Sequence, residues 1–393
     1  MLPLASLSRR TLLTSLSTGA IATACAPLTQ GPALQGQSGI SLDGRNIVNL
    51  TDYGRIGDAA NPSYFDGDVL TVAAEQGRPV TGNGFADSFA TPAVVYHPAA
   101  DTGMAQNLIF GSAIPYFGDM LVLGNITGES PLAKIYKLSA GDQGVRFIDI
   151  ANLQSGVYGA AIFQYGAKIL VTGSRDLGVR ASGAFLEVRD AQSFEIQSAS
   201  EIKGDNATAF GIEPSDHAPF IFVSGGLDGK NAGFHFLNKQ SLAAEDFIAL
   251  PALPEGVTWQ RHDEVALDAD GFVYLGTVDE FGKSTGEVYK VDLYSGEVVQ
   301  KISLRQSDDP EQSFHNALAL AGGALFVAEF NSGRIHVLNP ENLSPLNLVD
   351  TNLMEHKIQL TSSAARMISR ANGIEFVTQD GHWMELVLTG VDS

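Results

Sequence analysis

Short, apolar, β-rich runs recur along this chain about every 50 residues, and that period constrains the fold more than any other feature. The runs are Val69-Leu70-Thr71-Val72, Leu121-Val122-Leu123, Ile169-Leu170-Val171, Phe220-Ile221-Phe222-Val223, Phe272-Val273-Tyr274-Leu275, Leu325-Phe326-Val327 and Ile374-Glu375-Phe376-Val377. Their first residues lie 52, 48, 51, 52, 53 and 49 positions apart. A fixed period of this length marks a repeat architecture in which each unit is one supersecondary element.

The rest of each unit has its own pattern. The later runs are followed by an alternating strand such as Phe185-Leu186-Glu187-Val188, Val288-Tyr289-Lys290-Val291 or Ile335-His336-Val337-Leu338, as expected of a strand with one buried face. Then comes a turn opened by Asp or Asn: Asp190-Ala191-Gln192-Ser193, Asn238-Lys239-Gln240-Ser241, Asp292-Leu293-Tyr294-Ser295-Gly296 and Asn339-Pro340-Glu341-Asn342. These side chains accept bonds from backbone amides two or three residues on. A last strand follows each turn, as in Val298-Val299-Gln300-Lys301-Ile302. With the apolar strand before each run, the unit has four strands, one blade of a propeller. The expectation is an all-β chain forming one β-propeller of seven four-stranded blades. Ile47-Val48-Asn49-Leu50 is placed to supply the outer strand of the C-terminal blade, which closes the ring. Six or eight blades stay open, because the first unit has a 24-residue gap between Val69 and Ala93.

Val291-Asp292-Leu293-Tyr294-Ser295-Gly296-Glu297-Val298 and His315-Asn316-Ala317-Leu318-Ala319-Leu320 resemble the repeats of lactonase-type and quinoprotein-like propellers, over roughly residues 60–390. Those superfamilies include lactonases, lyases, cofactor-dependent dehydrogenases and plain binding scaffolds, so the resemblance implies a fold and leaves the activity open.

The N-terminus reads as an export signal. Arg9 and Arg10 precede an uncharged apolar run ending in Ala22-Thr23-Ala24-Cys25, too short to span a bilayer. Ser8-Arg9-Arg10-Thr11-Leu12-Leu13 is similar to a twin-arginine signal; an ordinary secretory signal is the alternative. Cys25, the one cysteine, stands where lipidation would make it the first mature residue; plain cleavage after Ala24 also fits. The organisation expected is therefore a signal peptide over 1–24, a lipid tether over 25–45 and one propeller domain over 46–393. A single cysteine permits no internal disulfide, even in the periplasm. The net charge of −20, or −22 once the signal is removed, disfavours nucleic acid and anionic lipid as partners of the folded part. The membrane would be met through the N-terminal lipid only.

Candidate chemistry lies on the innermost strands. The sequence aligns His262-Asp263-Glu264-Val265-Ala266-Leu267 with His315-Asn316-Ala317-Leu318-Ala319-Leu320, placing two histidines at matching points of neighbouring blades. His262 and His315 are candidate general bases, and with Asp263 and Asn316 candidate ligands of a divalent metal. The lactonase-type resemblance implies a site at this end of the channel. The structural alternative is that these residues bond the backbone at the strand start. Trp259, Arg261 and Arg366 are candidate ligand contacts, and equally candidate channel plugs. Asp268-Ala269-Asp270-Gly271 lacks the remaining acidic ligands of a calcium loop and reads as a turn. A quinone-dependent dehydrogenase is a distant third reading, since only Trp259 and Trp383 are available as tryptophan platforms. The favoured function is a lipid-anchored periplasmic scaffold binding a protein, glycan or small molecule. The alternative is a metal-dependent or general-base lactonase- or lyase-like enzyme.

Overall fold

The computed structural model describes residues 34–35, 46–55, 70–72 and 94–96. It then describes 108–350 apart from 118, 127–131, 142–143, 155, 176–181, 226–230, 261–264, 281–283, 305–316 and 329–333, and finally 367–370, 373–377 and 382–389. Among the described residues, all regular elements are strands. Five consecutive stretches each form a four-stranded antiparallel meander with at most one extra short strand. Blade A holds Leu108–Tyr116, Asp119–Ile126, Leu132–Gly141 and Gly144–Asn152. Blade B holds Tyr158–Tyr165, Lys168–Ser174, Ala184–Asp190 and Ile196–Ile202. Blade C holds Ala207–Ile212, Pro219–Val223, Gly233–Leu237 and Ala244–Ala249. Blade D holds Val257–Gln260 with Ala266–Leu267, then Phe272–Asp279, Ser284–Asp292 and Val298–Ser303. Blade E holds Ala317–Ala321, Ala324–Ala328, Arg334–Leu338 and Pro345–Asp350.

The periodic runs are the second strands of these sheets, and their apolarity has a direct cause: both faces are covered. Every residue of Pro219–Val223 and of Ala324–Ala328 is buried. Alternate side chains face opposite neighbours. Ile169 and Val171 pack with Leu121, Leu123 and Ile135 of blade A, while Leu170 packs with Ile221 and Val223 of blade C. Phe220 and Phe222 face the other way, onto Val273, Leu275 and Val291 of blade D. Tyr274 and Val288 then meet Leu325, Val327 and Leu338 of blade E. Blades B, C and D are thus each sandwiched between two others, the packing that defines a β-propeller. Each fully buried side chain contributes about 1.5–3 kcal/mol. The outermost strands behave oppositely: Ile196–Ile202 (IQSASEI) is exposed almost throughout, and its sequence is accordingly polar.

A sixth sheet joins the two ends of the chain. Ile368–Arg370, Gly373–Val377 and His382–Thr389 form a meander, and Asn46–Arg55 pairs antiparallel with its last strand, from Asn46 opposite Thr389 to Arg55 opposite His382. Leu34 and Gln35 pair in turn with Leu50 and Asn49, so part of the stretch read as a tether lies against this sheet. Leu70–Val72 pairs with Val94–Tyr96 as a two-stranded ribbon, across the 24-residue gap that the sequence left ambiguous.

The innermost strands of blades A to C are each interrupted part-way by a bulge, whereas that of blade E pairs without a break. In blade B, a Cβ at Gly173 would lie 1.8 Å from the Tyr158 carbonyl oxygen, so the bulge requires glycine there.

Candidate binding cleft

The Asp/Asn turns form as the sequence predicts. The Asp190 carboxylate accepts from the amides of Gln192 and Ser193 at 2.9 and 3.0 Å, Asn238 Oδ1 from Gln240 and Ser241 at 2.9 and 3.0 Å, and Asp292 from Tyr294 and Ser295 at 2.9 and 2.8 Å. Each turn ends on a left-handed residue, Phe194, Leu242, Gly296 or Leu343, with φ of 59°, 56°, 74° and 52°. The hairpin 213–218 of blade C copies the design with a glutamate. Glu213 accepts from the amides of Ser215, at 2.8 Å, and Asp216, and the turn closes at His217 with φ of 55°.

Tyrosine hydroxyls tie these turns from blade to blade. Tyr116 donates to the Ala191 carbonyl at 2.6 Å, Tyr165 to that of His217 at 3.3 Å, and Tyr274 to that of Pro340 at 2.8 Å. Tyr294 reaches back from blade D to the Glu213 carboxylate.

Between the turns of blade C and Tyr294 lies an open cleft of about 780 Å³. Phe236, Phe247 and Ile248 give it apolar walls, and the outer strand Ala244–Ala249 runs along it. The Tyr294 ring stacks on Phe236 with centroids 6.2 Å apart and planes 11° apart. Of the charged side chains lining the cleft, Glu213, Asp216, Glu245 and Asp246 are acidic and Lys239 is basic. Lys239 Nζ sits 2.6 Å from Asp216, and Asn238 donates to Glu245 at 2.9 Å.

Glu213 is 3% exposed. Burial alone would raise its pKa. The hydroxyls of Ser215 and Tyr294 and the amides of Ser215 and Asp216 outweigh that and hold the carboxyl down at about 2. The same bond raises the Tyr294 hydroxyl. With four donors, Glu213 is a fixed anion that orders the cleft and a poor proton acceptor.

The residues singled out from the sequence fare differently. Trp259 is not at a channel mouth. It is 1% exposed in the core between blades C and D, its indole N–H donates to the Pro251 carbonyl at 3.0 Å, and its ring meets Tyr289 edge-on at 4.8 Å. Asp268 opens a turn, accepting from the amides of Asp270 and Phe272 at 3.1 and 2.8 Å. Arg9, Arg10, Cys25, Arg261, His262, Asp263, His315, Asn316 and Arg366 lie outside the described residues.

Gln260 pairs with Gly276 and Ala266 with Tyr274. In blade E, Ala317, Leu318 and Ala319 pair with Ala328, Val327 and Phe326 in unbroken sequence. Val273 and Leu325 both face the preceding blade, which makes Gln260 the counterpart of Ala317. Among the described residues, no three His, Cys, Asp or Glu side chains come together as a metal site.

No known family and no curated protein matches this chain. Among solved structures it is similar to Sqt1 of Saccharomyces cerevisiae, at 10% identity over 82% of each chain with a TM-score of 0.48. So loose a likeness adds nothing on function, and the fold rests on the stacked blades themselves.

Proposed function

We propose that this protein is an exported, lipid-anchored scaffold that holds a partner protein through the turn-lined cleft of blade C. The cleft carries this reading. Its central carboxylate is saturated by four donors, and the surrounding turns are fixed by their own side chains, so the surface is ordered before a partner arrives. A rigid, partly aromatic concavity of this kind suits binding better than acid–base chemistry. The export and anchoring parts are supported by Arg9-Arg10, the apolar run after them and Cys25.

Two measurements test it. Cys25→Ala should move the protein from the membrane fraction to the soluble fraction; unchanged partitioning sinks the anchor. A photo-crosslinking residue at Gln240, beside the cleft, should trap a discrete adduct in cells, while one at Val299 on the exposed outer strand of blade D should not. No adduct at Gln240, or the same products at both positions, overturns the scaffold reading.

A further inference from the structure

Resting on that reading, we infer that the cleft docks an extended basic segment of a partner protein, with an arginine or lysine side chain lying against the Tyr294 ring. Three observations converge on this occupant. The first is charge: four carboxylates and one ammonium line the cleft of a chain whose net charge is −20. Two of the carboxylates are already committed, Glu213 to its four donors and Asp216 to Lys239. Glu245 and Asp246 are exposed on the outer strand, and among the described residues Asp246 has no hydrogen-bond or ion-pair partner.

The second is the aromatic wall. Tyr294 remains 44% exposed although it is anchored by Glu213 and stacked on Phe236. A fixed, exposed ring beside carboxylates suits a guanidinium or ammonium group through cation–π attraction. The third is the strand. Ala244–Ala249 is the edge of its sheet, so its outer backbone groups can pair with an extended chain, which a free amine cannot exploit. A bare divalent cation fits less well, since these carboxylates do not gather into a ligand set.

The test is fluorescence anisotropy on the purified full-length protein, using a labelled hexapeptide of alternating arginine and valine and its glutamate–valine counterpart. The arginine peptide should bind saturably and weaken as salt rises, and the glutamate peptide should not bind. Glu245→Gln/Asp246→Asn, made on exposed side chains that leave the core intact, should weaken binding roughly tenfold. Tyr294→Ala should weaken it similarly, whereas Tyr294→Phe, which keeps the ring and its stack on Phe236 but loses the anchor to Glu213, should weaken it less than Tyr294→Ala does. Equal binding of both peptides, no binding of either, or an unchanged affinity in the double variant overturns the assignment. If the arginine peptide fails while the Gln240 crosslink still traps a partner, the scaffold reading stands and the basic segment does not.

Discussion

The Tyr294 hydroxyl, on a turn of blade D, donates to the carboxylate of Glu213, 81 residues earlier in a turn of blade C. One hydrogen bond thereby fixes a cleft wall, joins two blades and helps hold Glu213 ionised. Tyr294→Phe keeps the stack on Phe236 and removes the hydroxyl that bonds Glu213, so chemical denaturation should show a loss of about 1–3 kcal/mol. The pH dependence has a definite sign. Glu213 titrates lower in the fold than in the unfolded chain, so its contribution is complete above the ordinary glutamate range and fades as pH falls toward about 2. In the variant the acid-unfolding midpoint should move to higher pH; an unmoved midpoint would mean that the hydroxyl does nothing for the carboxylate.

The left-handed turn residues make a second case. Gly296 is held there by a close approach: a Cβ would lie 2.3 Å from the Ala249 carbonyl oxygen of blade C. Its counterparts Leu242 and Leu343 instead carry side chains 3% and 1% exposed in the cores between blades. Gly296→Ala should therefore destabilise by more than the ~1 kcal/mol of left-handed strain alone. Leu343→Gly relieves that strain but loses a buried leucine, for a net loss of about 1–3 kcal/mol. Thermal melts of the two variants decide it, and a stabilised Leu343→Gly would refute the plug role.

Much of this architecture is legible in the sequence because it is periodic. Second strands buried on both faces must be apolar, and the Asp/Asn turns need an acceptor at a fixed place, so both repeat visibly. The cleft is not periodic. Its clearest trace is Tyr294, which occupies a turn position held by Gln192, Gln240 and Glu341 in the sibling turns. An aromatic at an otherwise polar, exposed position is a signal that comparing the turns side by side would have raised. Glu213 was hidden because a glutamate in a different hairpin performs the aspartate's task. The burial of Trp259 was not legible because an indole packed between blades and one lining a channel read alike.

His235 gives the chain a mild acid sensitivity. It is 5% exposed against Phe247, its Nε2–H donates to the Lys203 carbonyl at 2.8 Å, and its buried Nδ1 has no partner. Burial lowers its pKa, the bond to the Lys203 carbonyl opposes this, and the Lys203 charge adds to the lowering. The neutral ring is thus favoured in the fold, while the unfolded chain takes up a proton below its ordinary value of about 6.5. Stability from this site is complete above that value and declines as pH falls below it. His235→Phe should flatten the difference between urea midpoints measured at about pH 7.5 and about pH 5.5. An undiminished slope would assign the sensitivity elsewhere.

The buried pair Glu187–Arg189 in blade B supplies the sharpest stability test. Both side chains are almost wholly inaccessible, 1% and 4% exposed, and the guanidinium bonds Glu187 as well as the carbonyls of Phe194 at 2.8 Å and Asn152 at 2.6 Å. Glu187 Oε2 has no partner of its own, so the carboxylate depends on this single cation. Arg189→Met strands a buried charge and should destabilise by about 3–5 kcal/mol. Glu187→Leu/Arg189→Met removes both charges and should recover most of that loss. The recovery stays incomplete because the Phe194 and Asn152 carbonyls, which hold the B turn to the end of blade A, lose their donor. Urea unfolding of both variants measures the difference. A double variant as unstable as Arg189→Met alone would show that the arginine's worth lies in bridging the blades and not in neutralising Glu187.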